Sequence, residues 1–219
     1  MADIKQMLIA NAWMLSRIPF LNSIHLQGAV MEYGNKFMVQ NKISCTGSGN
    51  KIILKGKGVV QRCHFHIQGN NNTIIVGDNT NLTEAELWLQ YDGNTIVIGD
   101  DTDICGKTHL ACIEGTTISI GNECLFSSEI VFRTGDSHSI VNMEGKRINR
   151  SKDITIGDHV WVAHRVLVNK GVSVARDTMI GTGAVVTRSC EQSNVILAGN
   201  PAKVIKENVN WDRNRLPVD

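Results

Sequence analysis

The chain predicts an all-β solenoid, a triangular prism wound from short parallel strands, and three regularities in its 219 residues carry that prediction. An aliphatic residue returns at every sixth position in Ile156, Val162, Val168, Val174, Ile180 and Val186. Upstream, the tetrads Ile52 to Lys55, Ile74 to Gly77, Ile96 to Gly99 and Ile118 to Gly121 follow one another at steps of 22 residues. The surplus of each longer step over an eighteen-residue coil falls in polar runs such as Gly69 to Thr73 and Asp92 to Thr95. A period of six matches neither the 3.6 of an amphipathic helix nor the 2 of an alternating strand. It matches one flat side plus a corner, so that three sides close a coil and aliphatic rows stack inside the prism. The polar runs then fall at corners, where Asn, Asp and Gly tolerate left-handed backbone.

Taken in order, residues 1–25 read as a leader, in which Met7, Leu8, Ile9, Ala12, Trp13, Met14 and Leu15 are apolar and Asn11 interrupts the run. That run is too short to span a bilayer and does not have the form of a signal peptide. A short amphipathic helix is expected there instead, capping the open end of the prism and its unpaired strand edges. Trp13, Phe20 and Leu21 could also give this segment a peripheral membrane contact. Residues 26–187 form the solenoid, with weak and irregular coils to about 75 and regular ones to 132. Within it, alternation turns Leu87 and Leu89 inward, whereas a strict 22-residue shift from Leu110 turns Trp88 inward, and the sequence leaves both open.

A fifth tetrad, Ile154 to Gly157, arrives 36 residues after Ile118, eighteen more than a coil requires. The surplus lies between Phe132 and Ser151, so a loop at about 133–151 is expected to protrude, and such an excursion is where function is normally placed. Regular coils resume to about 187, and residues 188–219 form a tail.

Composition narrows the function. A formal net charge of +1 and the lack of any basic run argue against a nucleic-acid binder. Six cysteines without a C-x-x-C pair read as small, reduced, partly buried residues, which places the protein in the cytoplasm. His64 and His66 have H-x-H spacing, but no carboxylate–histidine cluster recurs at ligand distance, so no metal is expected. Those two histidines read as turn or surface residues of an irregular coil.

Four motifs occur in one order and phase: Asp136-Ser137-His138, Arg147-Ile148-Asn149, the block from Ile156 to Val162, and Ala198-Gly199-Asn200-Pro201-Ala202-Lys203. Over residues 52–206 the chain resembles the hexapeptide-repeat acyltransferases of the left-handed parallel β-helix family, most of all the capsule, O-antigen and exopolysaccharide sugar O-acetyltransferases. The left hand comes from that resemblance, because the general crossover rule favours the right. The resemblance implies acetyl-coenzyme A bound in a groove between subunits of a homotrimer, with a carbohydrate acceptor and His138 as the base. A sugar hydroxyl is a poor nucleophile at neutral pH, and an imidazole titrating near 6.5 can take its proton during direct attack on the thioester. Asp136 is the nearest candidate to orient that ring.

By the same resemblance Trp161 lies beside the pantetheine and thioester, with Ala163, His164, Thr182, Thr187 and Arg188 along the arm. Asn200-Pro201 faces the adenine, and Lys203 and Arg188 face the phosphates. Relatives usually carry Gly at the position of Ala163. Asn142, Arg147 and Asn149 suit acceptor hydroxyls without naming a sugar. Plainer readings stand beside these: a solvated loop histidine, a tryptophan packed only at the trimer interface, ordinary surface lysines at Lys203 and Lys206. Two other functions also stand: N-acetylation of an amino sugar nucleotide or O-acetylation of a xenobiotic, and, in a different class, a non-catalytic assembly platform.

Overall fold

The hexad residues all turn inward: Ile156, Val162, Val168, Val174, Ile180 and Val186 are each at most 1% exposed. Side chains of this size each contribute about 1.5–3 kcal/mol when fully buried, so the rows they form are what close the prism. A computed structural model describes residues 22–218. Strands of two to six residues wind there into three sheets. The first face holds eight strands, from Asn22–Leu26 to Val185–Val186. The second holds seven, from Ala29–Tyr33 to Ser173–Val174, and the third holds nine, from Phe37–Val39 to Lys203–Glu207. Neighbours within a sheet lie one coil apart, so each coil hydrogen-bonds to the one before and the one after.

The tetrads align as their spacing requires. Ile52, Ile74, Ile96, Ile118 and Ile154 stand opposite one another on successive strands of the second face. Because the pairing of Ile118 with Ile154 keeps register, the eighteen surplus residues leave the prism and return at the same height. The alternation reading holds for Leu87 and Leu89, which are fully buried, while Trp88 faces outward opposite Ala111. The step there is 23 residues, Ala85 to Thr108, because the corner at 105–107 carries one extra residue. The following corner carries one fewer, and Ile96 regains its 22-residue partner Ile118.

Buried corners are satisfied by side chains of the coil before or after. Asn50, Asn72 and Asn94 form a ladder in which each Oδ1 accepts the backbone N–H one coil on, at 2.9 Å for Asn72 and for Asn94. Thr80 and Thr102 repeat the device at another corner. Buried N–H groups need such partners, which explains polar residues fully inside an aliphatic prism. Left-handed backbone occurs where the polar runs required it, at Asn71 (φ 55°) and Gly69 (φ 130°). A Cβ on Gly69 would stand 2.2 Å from the Tyr91 carbonyl oxygen, so only glycine fits.

Several boundaries differ from the sequence reading. The first described strand begins at Asn22, and regular 22-residue pairing starts at Phe37 opposite Val59, well before 75. His64 and His66 therefore sit on the outward side of a regular strand, not in a turn. The third face continues past 187: Val195–Ala198 pairs with Met179–Ile180, and after a cis Asn200-Pro201 bond the chain returns antiparallel as Lys203–Glu207. The expected capping helix, with Trp13, Phe20 and Leu21, lies outside the described residues. No helix among the described residues is long and apolar enough to cross a membrane. Cys45, Cys63, Cys112 and Cys124 are buried, Cys105 is exposed and Cys190 half-buried, all as free thiols. Burial pushes Cys63 and Cys124 up to about 11 and Cys112 to about 12, which makes those thiols inert packing groups.

Candidate active site

The excursion begins where the first-face strand Ile130–Arg133 ends. Thr134 is fully buried and forms its neck: Lys152 N–H donates to the Thr134 carbonyl at 2.8 Å, and Ile113 N–H donates to Thr134 Oγ1 at 3.1 Å. At the tip, Val141 bridges Arg147, and Asn142 Oδ1 accepts the N–H groups of Glu144 (3.1 Å) and Lys146 (2.9 Å). Asn142 thus shapes the turn.

Asn149 fastens the middle of the loop. It is 7% exposed, and its Nδ2 donates to Asp136 Oδ2 and to the His138 carbonyl, both at 2.8 Å. Its Oδ1 accepts Ile140 N–H at 2.8 Å and Arg147 Nε at 3.0 Å. The Arg147 guanidinium meets both oxygens of Glu114, at 2.5 and 3.1 Å, and Ser151 Oγ donates to Glu114 at 2.6 Å. Those bonds, Arg147 first, bring the Glu114 carboxyl down to about 2. Arg147 and Asn149, two of the residues expected to meet acceptor hydroxyls, thus bond to Glu114 and to Asp136 respectively.

His138 is exposed, and among the described residues no side chain hydrogen-bonds its ring. The expected contact with Asp136 is not formed. Asp136 instead accepts from Lys170 and Asn149, which hold its carboxyl below the usual carboxylate range, Lys170 first. Its place is to pin the loop backbone. A cleft of about 390 Å³ opens beside the loop, lined by His138, Trp88, Ala111 and Arg133 among others. A second of the same volume joins Asp136 and Lys170 to Thr187.

The remaining expected residues stand elsewhere on the prism. Trp161 projects from the third face, 40% exposed, between Leu125 and Met179 on adjoining strands. At the corner from the third face to the first, His164 Nδ1 lies 2.9 Å from Ser128 Oγ and 3.1 Å from the Ser128 carbonyl oxygen. Gly183 N–H donates to the His164 carbonyl at 2.9 Å, so Thr182 stands one coil beyond His164 as the eighteen-residue spacing requires. Ala163 is half-buried, and Thr182, Arg188, Asn200, Pro201 and Lys203 are exposed. His138 lies on the loop that leaves the first face and Trp161 on the third face, and Trp161 lines neither of the two clefts at the loop.

Sequence reasoning missed Glu114, Lys170, Trp88 and Arg133 around the loop, and it missed Trp211. The tail folds back so that the Trp211 ring stacks on His159, 4.4 Å between centroids, and lies 6.1 Å from Trp161. Trp211 Nε1 donates to the His159 carbonyl at 2.9 Å, and Arg213 pairs with Asp103.

A three-sided parallel solenoid with one histidine-bearing excursion is the architecture of the hexapeptide-repeat transferases. No family model matches the sequence. The crystal structure of the polySia-specific acetyltransferase NeuO superposes with a TM-score of 0.81 and 30% identity, over 89% of this chain and 83% of that one. A polysialic acid O-acetyltransferase of Escherichia coli O1:K1 / APEC is 36% identical over 93 residues, which is 42% of this chain and 30% of that protein. Its counterpart from Neisseria meningitidis is 30% identical over 92 residues, 42% of this chain and 43% of that protein. The matched segments span less than half the length of either curated relative. The chain belongs to the hexapeptide-repeat acyltransferase family, and its solenoid is the left-handed parallel β-helix.

Proposed function

We propose that the protein moves an acetyl group from acetyl-coenzyme A to a sugar hydroxyl of a surface polysaccharide or its precursor. The observation that carries this reading is the His138 loop, pinned through Asn149 onto a hexapeptide β-helix. His138 acts as general base and accepts the hydroxyl proton as the oxygen attacks. Acetyl-coenzyme A, when bound, supplies the thioester carbon: the new C–O bond forms there, the C–S bond breaks, and the proton taken by His138 passes to the departing sulfur. Asp136 serves by holding the loop with Lys170 and Asn149, not by touching the ring.

The donor fits the exposed Trp161 indole, whose broad apolar surface suits the pantetheine end. Ala163, His164 and Thr182 continue along the corner beside it, and the exposed cations Arg188 and Lys203, with Asn200 and Pro201, suit the nucleotide. A homotrimer is part of the proposal. Its seams would set the first-face loop of one subunit against the third face of the next, which reconciles the separation of His138 from Trp161 within one chain. Six free thiols suit a reducing cytoplasm, where the donor is made.

The test is thiol release from acetyl-coenzyme A with a panel of sugars, polysialic acid among them because the relatives carry its name. His138→Ala should lower kcat about 100- to 10,000-fold with the best acceptor, the usual range for a lost general base. An unchanged rate would remove His138 from that role.

A further inference from the structure

Trp161 has two flanks on the third face. Ala163 and His164 follow it along the coil, and these, with Thr182, are the residues beside which the acetyl-transfer reading sets the pantetheine arm. His159 precedes it, and on His159 rests the tail. Trp211 packs against Trp161 with 6.1 Å between ring centroids and 42° between planes, inside the range at which aromatic rings touch. Residues two apart in a strand are separated by about 6.6 Å, so a donor lying from the corner across the Trp161 indole meets Trp211 with its last atoms. Those atoms are the acyl group.

The Trp211 ring is fixed from several directions. It stacks on the His159 imidazole, 4.4 Å between centroids and 11° between planes, and its Nε1 donates to the His159 carbonyl at 2.9 Å. His159 is held in turn, its Nδ1 lying 2.9 Å from Asp177 Oδ1 one coil on. The chain on either side is tied down as well. Val209 N–H donates to the Asn194 carbonyl at 3.1 Å, and the Arg213 guanidinium pairs with Asp103 and donates to the carbonyls of Asp101 (3.1 Å) and Cys124 (3.4 Å). Beyond the ring a cleft of about 650 Å³ opens, lined by Trp211, His159, Asp103 and Glu123 among others and not by Trp161. Trp211 therefore partitions the Trp161 surface from that space.

We propose that Trp211 is the end wall of the acyl pocket and confines transfer to acetyl. The proposal rests on the acetyl-transfer reading, with Trp161 beside the thioester, and adds the residue that sets acyl length, supplied by the tail and not by a hexad coil. A propionyl or butyryl group would leave sulfur through the same exchange of a C–S for a C–O bond, so the wall selects by room and not by chemistry. With Trp211 cut back to Ala, the extra methylenes pass the Trp161 edge onto the uncovered His159 ring. Each methylene that finds an apolar surface strengthens binding about fourfold.

The test uses the full chain with acetyl-, propionyl- and butyryl-coenzyme A and the best acceptor of the sugar panel, and calorimetry reads the affinity of each donor without acceptor. The wild type should favour acetyl over butyryl, and Trp211→Ala should raise the butyryl-to-acetyl ratio of kcat/KM about tenfold or more, as two methylenes at about fourfold each require. Arg213→Gln keeps the indole but frees the tail, so it should move the same ratio by a smaller factor, and it stands in if Trp211→Ala fails to fold. A merely structural tail would lower Tm and slow all three donors alike. A ratio that stays put in the folded variants, or a wild type indifferent to acyl length, overturns the wall and leaves acetyl transfer standing. A selective gain of butyryl-coenzyme A binding in Trp211→Ala, without thiol release with any sugar, upholds the wall and overturns the transfer. Failure to bind any acyl-coenzyme A overturns both.

Discussion

At the scale of single residues, the loop that carries His138 is aimed through its main chain. The His138 carbonyl is held by Asn149, and Asn149 in turn is held by Asp136, Arg147 and the Ile140 N–H. Removing that hub should misplace the imidazole without touching the donor groove, and misplacement of about an ångström costs about 100-fold in rate. Asn149→Ala is therefore expected to lower kcat about 10- to 100-fold with the acetyl-coenzyme A KM unchanged, as steady-state kinetics will read. Glu114 gives the same loop a pH dependence. Its carboxyl sits at about 2 against the usual 4.5 because Arg147, and then Ser151, bind the charged form. A depressed folded value stabilises the loop fully above pH 4.5, and the contribution is lost as pH falls toward 2. Asp136 shifts in the same direction. Pepsin should thus nick residues 134–151 increasingly across that window, while Glu114→Gln should be cut readily at its upper end. Equal nicking of both proteins at pH 4.5 would show that the Glu114 pair does not hold the loop.

At the scale of the coil, stability is divided between aliphatic rows and the polar ladders at the corners. Asn72 illustrates the second: its Oδ1 accepts Asn94 N–H at 2.9 Å, and its own N–H goes to Asn50 at 2.9 Å. Asn72→Ala keeps the fold but leaves a buried N–H without a partner, which costs about 1–3 kcal/mol. Urea titration should show a correspondingly lower midpoint, and an unchanged midpoint would mean that the corner relaxes to satisfy itself. The rows were legible in the sequence because a repeated coil repeats its inward residues, so Ile156 to Val186 announced the prism and the 36-residue step announced the loop. The fastening of the loop was not. Glu114 meets Arg147 across 33 residues, and Lys170 reaches Asp136 across 34, with no spacing shared by other coils. The outward turn of Trp88 was hidden by a single extra corner residue, which shifts one face and leaves the next in step. Periodicity reports what recurs in every coil, and ion pairs made once leave no period to read.

At the scale of the whole molecule, the separation of His138 and Trp161 on different faces makes a prediction about assembly. If the proposed trimer completes each site at a seam, the loop of one subunit serves the tryptophan face of its neighbour, and neither residue need be intact in the same chain. His138→Ala and Trp161→Ala proteins should each be poorly active alone. Co-expressed with different tags and purified through both, every mixed trimer contains one seam pairing an intact His138 with an intact Trp161. Closed three-fold symmetry then gives about a third of wild-type activity per trimer. A double variant, His138→Ala with Trp161→Ala, mixed with either single variant offers no intact seam and should stay at background. Were both residues used within one chain, every chain in the mixed trimer would remain defective, and thiol release would not rise above that of the two parents. Complementation at about a third, together with light scattering that returns three times the 24.1 kDa chain mass, would place the site in the seam.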